Sequence, residues 1–348
     1  MIERPGRGIG REHEVLKGGE VTAVSYHDTV NVLQGLPFAG HGPFARREWF
    51  TLLENAGARP LIALASDGAE TVALPLKLNG KGLENLTNWY AFTWTDLATG
   101  DLGREALLAS LAGDLAKRTG RVVLSKLPDE DGTATRLERA FRQTGWFVRR
   151  ERCDSNHVLP VAGRSFEEYL AGRPGQLRTT LKRKAKKVEV EILSHFDEDA
   201  WQSYQAVYAE SWKPEEGDPE LLRRFAEAEG RAGRLRCALA RHEGQVVAAQ
   251  VWTVEDGVAY IHKLAHLEIA KPLSPGTTLT AALFEQAIDR DRVEWVDFGT
   301  GDDPYKRDWM EQVRARYRLT CWRPSDPRNW PAIGKAFMRK LVSRAPAG

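Results

Sequence analysis

Two successive α/β units, each a mixed and mainly antiparallel sheet flanked by helices, are what this sequence predicts. Three observations carry that prediction. The 348 residues suffice for two domains of ordinary size. A composition of 42% hydrophobic and 28% charged residues is globular, neither disordered nor fibrous. The hydrophobic period switches between two and 3.6 in the order β-α-α-β-β-β-α-β-α-β over 188–322, with a weaker echo over 44–151. The halves do not visibly repeat in sequence, so the second copy rests on element order.

In the first half, 44–56 reads as helical. Pro60 to Ser66 and Glu70 to Leu78 read as a hairpin across Asp67-Gly68. Helices follow over 103–118 and 132–144, and strands over 121–125 and 146–151, while 153–160 reads as irregular. Met1 to Glu20, rich in Gly, Arg and Glu with no apolar run, reads as a frayed tail and not a secretory signal.

In the second half, Arg173 to Lys187 carries seven basic residues in fifteen and no acidic one, with Leu177, Leu181, Ala185 and Val188 as an apolar stripe. That pattern is an amphipathic helix. Val188 to Ser194 alternates as a strand. Asp197 caps a helix bearing Trp201, Tyr204 and Tyr208, and Asp218-Pro219 opens another. Leu235 to Leu239, Val246 to Val254 and Val258 to Leu267 form a meander, with Glu243-Gly244 and Asp256-Gly257 as its turns. Ser274 suits an N-cap and Pro275 the first helical position of a long helix through Ile288. A buried strand over 293–298, a Gly299-Thr300-Gly301 turn, a short helix over 305–312 and a strand over 316–322 complete the unit.

Lys+Arg 50 against Asp+Glu 48 is nearly balanced, which argues against a dedicated DNA binder. No run approaches the ~20 apolar residues of a membrane span, so no stable membrane insertion is expected. The three cysteines, Cys153, Cys237 and Cys321, are far apart and form no metal knuckle or CxxC, which suits a reducing cytoplasm and predicts no metal.

Ser274-Pro275-Gly276-Thr277 before the long helix, Asp297-Phe298-Gly299-Thr300-Gly301 after the next strand, then Asp302-Asp303-Pro304-Tyr305-Lys306 and Trp309, together with the basic segment after Gly172, resemble the CelD-like GNAT acetyltransferases of bacteria. These are cousins of the Fem-type aminoacyl transferases, which hold two GNAT-like domains in tandem. The resemblance covers roughly 38–323 and is looser in the first half. It implies tandem GNAT-like (acyl-CoA N-acyltransferase) domains and an acyltransferase that moves an acetyl or other acyl group from acyl-CoA (acetyl-CoA) to an amine, with a hydroxyl as a variant acceptor.

Acyl transfer needs the donor phosphates held, the oxyanion stabilised and the amine deprotonated. The resemblance places the phosphates at the helix start, here Ser274, Gly276, Thr277 and Thr278, where unpaired N–H groups and the dipole attract anions. This stretch has fewer glycines than the usual GNAT phosphate loop and no Arg or Gln at its start. The resemblance also makes Lys306 the oxyanion's cation and Tyr305 the proton donor to the departing thiolate. Asp297, a carboxylate at a strand end beside glycines, is a candidate base or a turn cap. Arg178, Lys182 and Arg183 of the basic helix are candidate ligands for a nucleotide phosphate, an acceptor carboxylate or a tRNA backbone. His262 reads as structural, and His157 and His266 have no supporting pattern.

The expected organisation is a tail over 1–20, a structural and acceptor-binding domain over 21–162, the acyltransferase domain over 163–323, and a tail with a short basic helix over 324–348, with the acceptor lying between the domains. The acceptor is expected to be a small molecule or a cell-envelope precursor. Alternatives are a Fem-like transferase that uses aminoacyl-tRNA and a degenerate GNAT protein that binds without turnover.

Overall fold

Contact density divides the chain into two units, 1–154 with 315–348, and 155–314. The structure, a computed structural model, describes residues 13–17, 20–38 and 42–342.

The first unit opens with β1 (His13–Lys17) and β2 (Glu20–His27), paired from His13↔Val24 to Lys17↔Glu20. Part of the expected tail is therefore sheet; 1–12 and 18–19 lie outside the described residues. Next come α1 (Arg47–Asn55), β3 (Pro60–Ser66), β4 (Thr71–Asn79), β5 (Gly82–Asn85), β6 (Leu97–Ala98), α2 (Arg104–Leu115), β7 (Arg121–Leu127) and α3 (Thr133–Gln143). β8 (Phe147–Pro160) then runs from the first unit into the second. The stretch 153–160, expected to be irregular, is strand: Ser155 to Leu159 are all buried, and polar residues among them find partners instead of solvent.

The second unit continues with α4 (Phe166–Ala171), α5 (Gly175–Lys184), β9 (Glu189–Leu193), α6 (Glu198–Ala209), α7 (Pro219–Arg231), β10 (Leu235–His242), β11 (Gln245–Glu255), β12 (Val258–His266), α8 (Pro275–Glu285), β13 (Trp295–Thr300) and α9 (Pro304–Trp309). β14 (Gln312–Trp322) returns to the first unit, followed by α10 (Trp330–Val342). The expected boundaries at 162/163 and 323/324 differ from the observed division because β14 pairs with β7, from Tyr317↔Leu127 to Trp322↔Arg121. The short helix expected in 324–348 is α10, from Trp330 to Val342.

The units share one pairing plan. In the first, β2, β3, β4 and β5 are successively antiparallel, β5 is parallel to β7, and β7 is antiparallel to β14. In the second, β9, β10, β11 and β12 are successively antiparallel, β12 is parallel to β13, and β13 is antiparallel to β8. Each parallel pair is bridged by a helix, α2 or α8, as a parallel connection requires. The last strand of each unit comes from the other half of the sequence.

Local signals explain the turns and caps. Glu243-Gly244 and Asp256-Gly257 both take positive φ (51° and 81°, 48° and 72°), the two-residue turn that matches strand twist. Asp197 and Asp218 accept from the backbone N–H of Ala200 and Leu221, as capping predicts. Helix faces bury Trp49, Phe50 and Leu53 on α1, Leu107, Leu111 and Leu115 on α2, and Trp201, Tyr204 and Val207 on α6. Each such side chain contributes roughly 1.5–3 kcal/mol when fully buried.

Candidate active site

The site lies where two parallel strands part. β12 and β13 pair only over Val258↔Trp295, Ala259↔Val296 and Tyr260↔Asp297, yet β12 runs on to His266 and β13 to Thr300. In open α/β sheets ligands settle beyond the carboxyl ends of such strands, where the crossover helix starts.

β13 ends in a turn that the sequence builds around two glycines. Gly299 and Gly301 sit at φ 68° and 96°, a region that admits glycine without strain. Asp297 is buried and accepts from Asn156 Nδ2 at 3.2 and 3.1 Å and from the Gly299 N–H at 2.7 Å. Its carboxylate organises the turn. The turn delivers α9, which begins at Pro304 and ends at Trp309, shorter than the expected 305–312 because Met310 is already extended.

Lys306 on α9 is 4% exposed. Its ammonium donates to the Thr300 carbonyl at 2.5 Å and lies 5.4 Å from the Phe298 ring centre. A Cβ at Gly301 would stand 3.8 Å from that nitrogen, so the glycine turn packs directly against the ammonium. Tyr305 packs edge-on to Phe298, and burial, then the Asp303 charge, pushes its phenol up to about 12, so it holds its proton at neutral pH. Arg307 turns the other way and donates to Asp302 at 2.7 Å. Asp302 also meets the Nε2 of buried His157 at 2.9 Å. Arg307 first, then His157, hold the Asp302 carboxyl below the usual carboxylate range.

The start of α8 differs from the expected open phosphate cradle. Ser274 is left-handed (φ 54°) and makes no side-chain cap; its hydroxyl instead takes a hydrogen bond from Lys184 Nζ at 3.1 Å. Gly276 is buried, and a Cβ there would meet the His266 ring at 3.3 Å. Thr278 is buried and bonds back to the Ser274 carbonyl, which leaves Thr277 as the half-exposed residue of the first turn. Gln250, fully buried on β11, donates to the Gly276 carbonyl and to Thr280 Oγ1, and accepts from Trp252. The helix start is thus clamped to the sheet. Lys184 brings the end of α5 against it, while Arg178, Lys182 and Arg183 are exposed on α5.

A third group joins these two. Lys263 on β12 is 7% exposed and pairs with Glu216 at 2.7 Å, and Tyr204 donates to the same carboxylate at 3.3 Å. Lys213 is attracted by Asp303 and Glu216, but burial outweighs both and lowers its pKa. Trp212 beside it packs on His266, ring centres 4.3 Å apart and tilted by 39°, which leads back to Gly276.

Sequence reasoning reached Lys306, Tyr305, Asp297 and the α8 start. It missed Asn156, His157, Lys213, Glu216, Gln250, Lys263 and His266. Lys263 carried a usable signal: it is in phase with Ala259, Ile261 and Ala265, the buried face of β12. His262, on the other face, bonds Thr253 at 2.8 Å and packs on Phe225, as a structural histidine does. Among the described residues no group of His, Cys, Asp and Glu is arranged to hold a metal, and no helix is long and apolar enough to cross a membrane.

Residues 175–307 match the family model of the acetyltransferase (GNAT) domain, so the second unit carries a GNAT-type acetyltransferase domain. Among solved structures, FemX superposes with a TM-score of 0.59 at 10% identity, covering 84% of this chain and 96% of that one. A conserved protein of unknown function from Bacteroides thetaiotaomicron VPI-5482 gives 0.58 at 12%, over 85% and 99%. The L-PGS of Bacillus licheniformis gives 0.52 at 14%, over 88% and 99%. At such identities the likeness shows the fold alone, across both units. No curated protein matches the chain.

Proposed function

We propose that the protein is a GNAT-type acyltransferase that moves an acetyl or other acyl group from acyl-CoA to an amine. The observation that carries this reading is Lys306, a buried ammonium fixed beside Gly301 at the open end of the β12–β13 pair. The donor's phosphates would meet Thr277 at the α8 start, with Lys184 and the exposed Arg178, Lys182 and Arg183 as counter-charge. Ser274, Gly276 and Thr278 would shape that turn rather than touch the donor.

The amine nitrogen attacks the thioester carbonyl, forming the C–N bond. Charge moves onto the carbonyl oxygen, and the Lys306 ammonium, already ordered by Thr300, stabilises it without reorganisation. The C–S bond then breaks and the sulfur leaves as thiolate, its charge met by a hydrogen bond from the Tyr305 phenol, which stays protonated at neutral pH. The proton shed by the nitrogen leaves to water. Asp297, engaged by Asn156 and Gly299, positions the Lys306 segment and is not the base.

The CelD-like resemblance, a cytoplasmic location and a small-molecule or cell-envelope acceptor belong to the same reading. The exposed cations of α5 favour one second reading, an aminoacyl-tRNA donor. Thermal shift with acetyl-CoA, followed by thiol release over a panel of amines and alcohols, tests the proposal. Stabilisation plus thiol release supports it. Stabilisation by charged tRNA but not by acetyl-CoA replaces the donor, and stabilisation with no thiol release from any acceptor leaves a binding protein.

A further inference from the structure

Between α6 and α7 the second unit holds a cavity of about 380 Å³. Trp201, Tyr204, Tyr208 and Leu222 give it apolar walls, and Lys213, Glu216 and the solvent-exposed Glu215 line it as well. The volume fits a small ligand with a flat or aliphatic body.

The charges decide what the ligand carries. Glu216 is already satisfied, by Lys263 at 2.7 Å and by the Tyr204 hydroxyl at 3.3 Å. Lys213 has no carboxylate within salt-bridge distance among the described residues; its contact is the face of the Trp212 ring, 5.2 Å away. Asp303 and Glu216 reach it only at longer range, and Lys263 opposes them by repelling charge in the same space. Around this end of the unit Lys213, Lys263 and Lys306 are buried or half-buried, against Glu216 as the shielded carboxylate; Glu215 and Asp303 are exposed. An ammonium half-withdrawn from water beside apolar walls, with carboxylates only at longer range, is costly. A ligand anion on Lys213 removes that cost, whereas a ligand cation adds to it.

We infer that this cavity binds a small carboxylate with an apolar body, its anionic end on Lys213. That this ligand is the acyl acceptor, an amine that also bears a carboxylate, rests on the acyltransferase reading; the binding itself does not.

The test uses 3-phenylpropionate and its amine counterpart, 3-phenylpropylamine, with the full chain, read by tryptophan fluorescence and ligand-observed NMR. The carboxylate is expected to bind at least tenfold tighter than the amine. Lys213→Met should cut carboxylate affinity about tenfold and leave the amine unaffected; Lys187→Met, on an exposed lysine, is the control. Equal or tighter binding of the amine overturns the proposal, and so does unchanged carboxylate affinity in Lys213→Met. Should that variant fail to fold, Lys213→Gln and the carboxylate-to-amine ratio of the unaltered chain still decide. If coenzyme A displaces 3-phenylpropionate and loses affinity equally in Lys213→Met, the anion on Lys213 is a donor phosphate, and the acceptor assignment falls. Failure of the acyltransferase reading shows separately, as no thermal shift with acetyl-CoA while 3-phenylpropionate still binds.

Discussion

The two units follow one pairing plan and treat its weakest point oppositely. In the first, β5 and β7 pair in parallel over Leu83↔Val122 and Glu84↔Val123, and the next residue sutures them. Buried Asn85 donates to the Ser125 carbonyl at 3.0 Å and accepts from its N–H and hydroxyl at 3.0 and 3.3 Å. Lys126 sends its ammonium to the carbonyls of Asn88, Trp89 and Ala91 at 2.9, 3.2 and 2.6 Å. Leu86, Tyr90, Phe92 and Trp94 of that connection are buried. The unit's own chain fills the place beyond the strand ends. In the second unit the corresponding place holds Lys306 beside Gly301, with Lys263 and Lys213 nearby. A parallel pair that parts leaves backbone groups to satisfy, and a fold can satisfy them with itself or leave charged side chains there for a ligand.

The strongest way to break this comparison is to remove the lysine of each unit in turn. Lys306→Met keeps the stem and loses the charge, so turnover should fall about 10²–10³-fold with donor affinity nearly intact. Arg307→Met, which disturbs only the Asp302 pair, should change turnover little. Steady-state kinetics on both variants decides, and equal small effects would remove Lys306 from the chemistry.

Lys126→Met should do the reverse. It leaves three carbonyls without their donor and should cost about 2–3 kcal/mol of stability, read by urea unfolding, with turnover per folded molecule unchanged. A turnover loss comparable to that of Lys306→Met would mean that both units take part in chemistry.

A smaller effect is expected at the α8 start. Lys184→Met removes a cation from the Ser274 hydroxyl and from the donor's phosphates. Donor affinity should fall about two- to fivefold, the range that 0.3–1 kcal/mol corresponds to, and less at high salt. Titration of coenzyme A at two salt concentrations measures it.

The smallest concerns acid. Hydrogen bonding from Arg164, aided by the Arg164 and Arg173 charges, holds the Glu311 carboxyl below its usual range despite partial burial. With a folded pKa below the unfolded one, this contribution is present above about pH 4.5 and is lost as pH falls through the lowered value. Glu311→Gln should therefore flatten the loss of stability between pH 5 and pH 3, measured by denaturant unfolding.

Much of the fold was legible because its signals are local. Alternation marked β9 and β10, apolar runs between turns marked β3, β4, β11 and β12, aspartates marked the starts of α6 and α7, and Asp-Gly and Glu-Gly marked three hairpins. The stretch 153–160 misled because its polar residues break the alternation, and they do so to serve partners far along the chain: Asn156 reaches Asp297, and His157 reaches Asp302. Ser274 looked like a cap because serine before proline usually is one; Lys184, ninety residues earlier, holds its hydroxyl instead.

By itself the sequence determined most of the helices, the hairpin strands, the two-unit plan and the segments that carry Lys306 and the α8 start, since periodicity, capping and glycine turns act within a few residues. The tertiary structure alone decided which strands close each unit, that Asp297 is engaged by the turn, that Gly276 lies under His266, and that Lys213 lines a cavity with no carboxylate of the described residues within salt-bridge distance. These depend on which faces meet in space, across ten residues for His266 and Gly276 and across 141 for Asn156 and Asp297, where burial and hydrogen-bond satisfaction assign each polar group its partner.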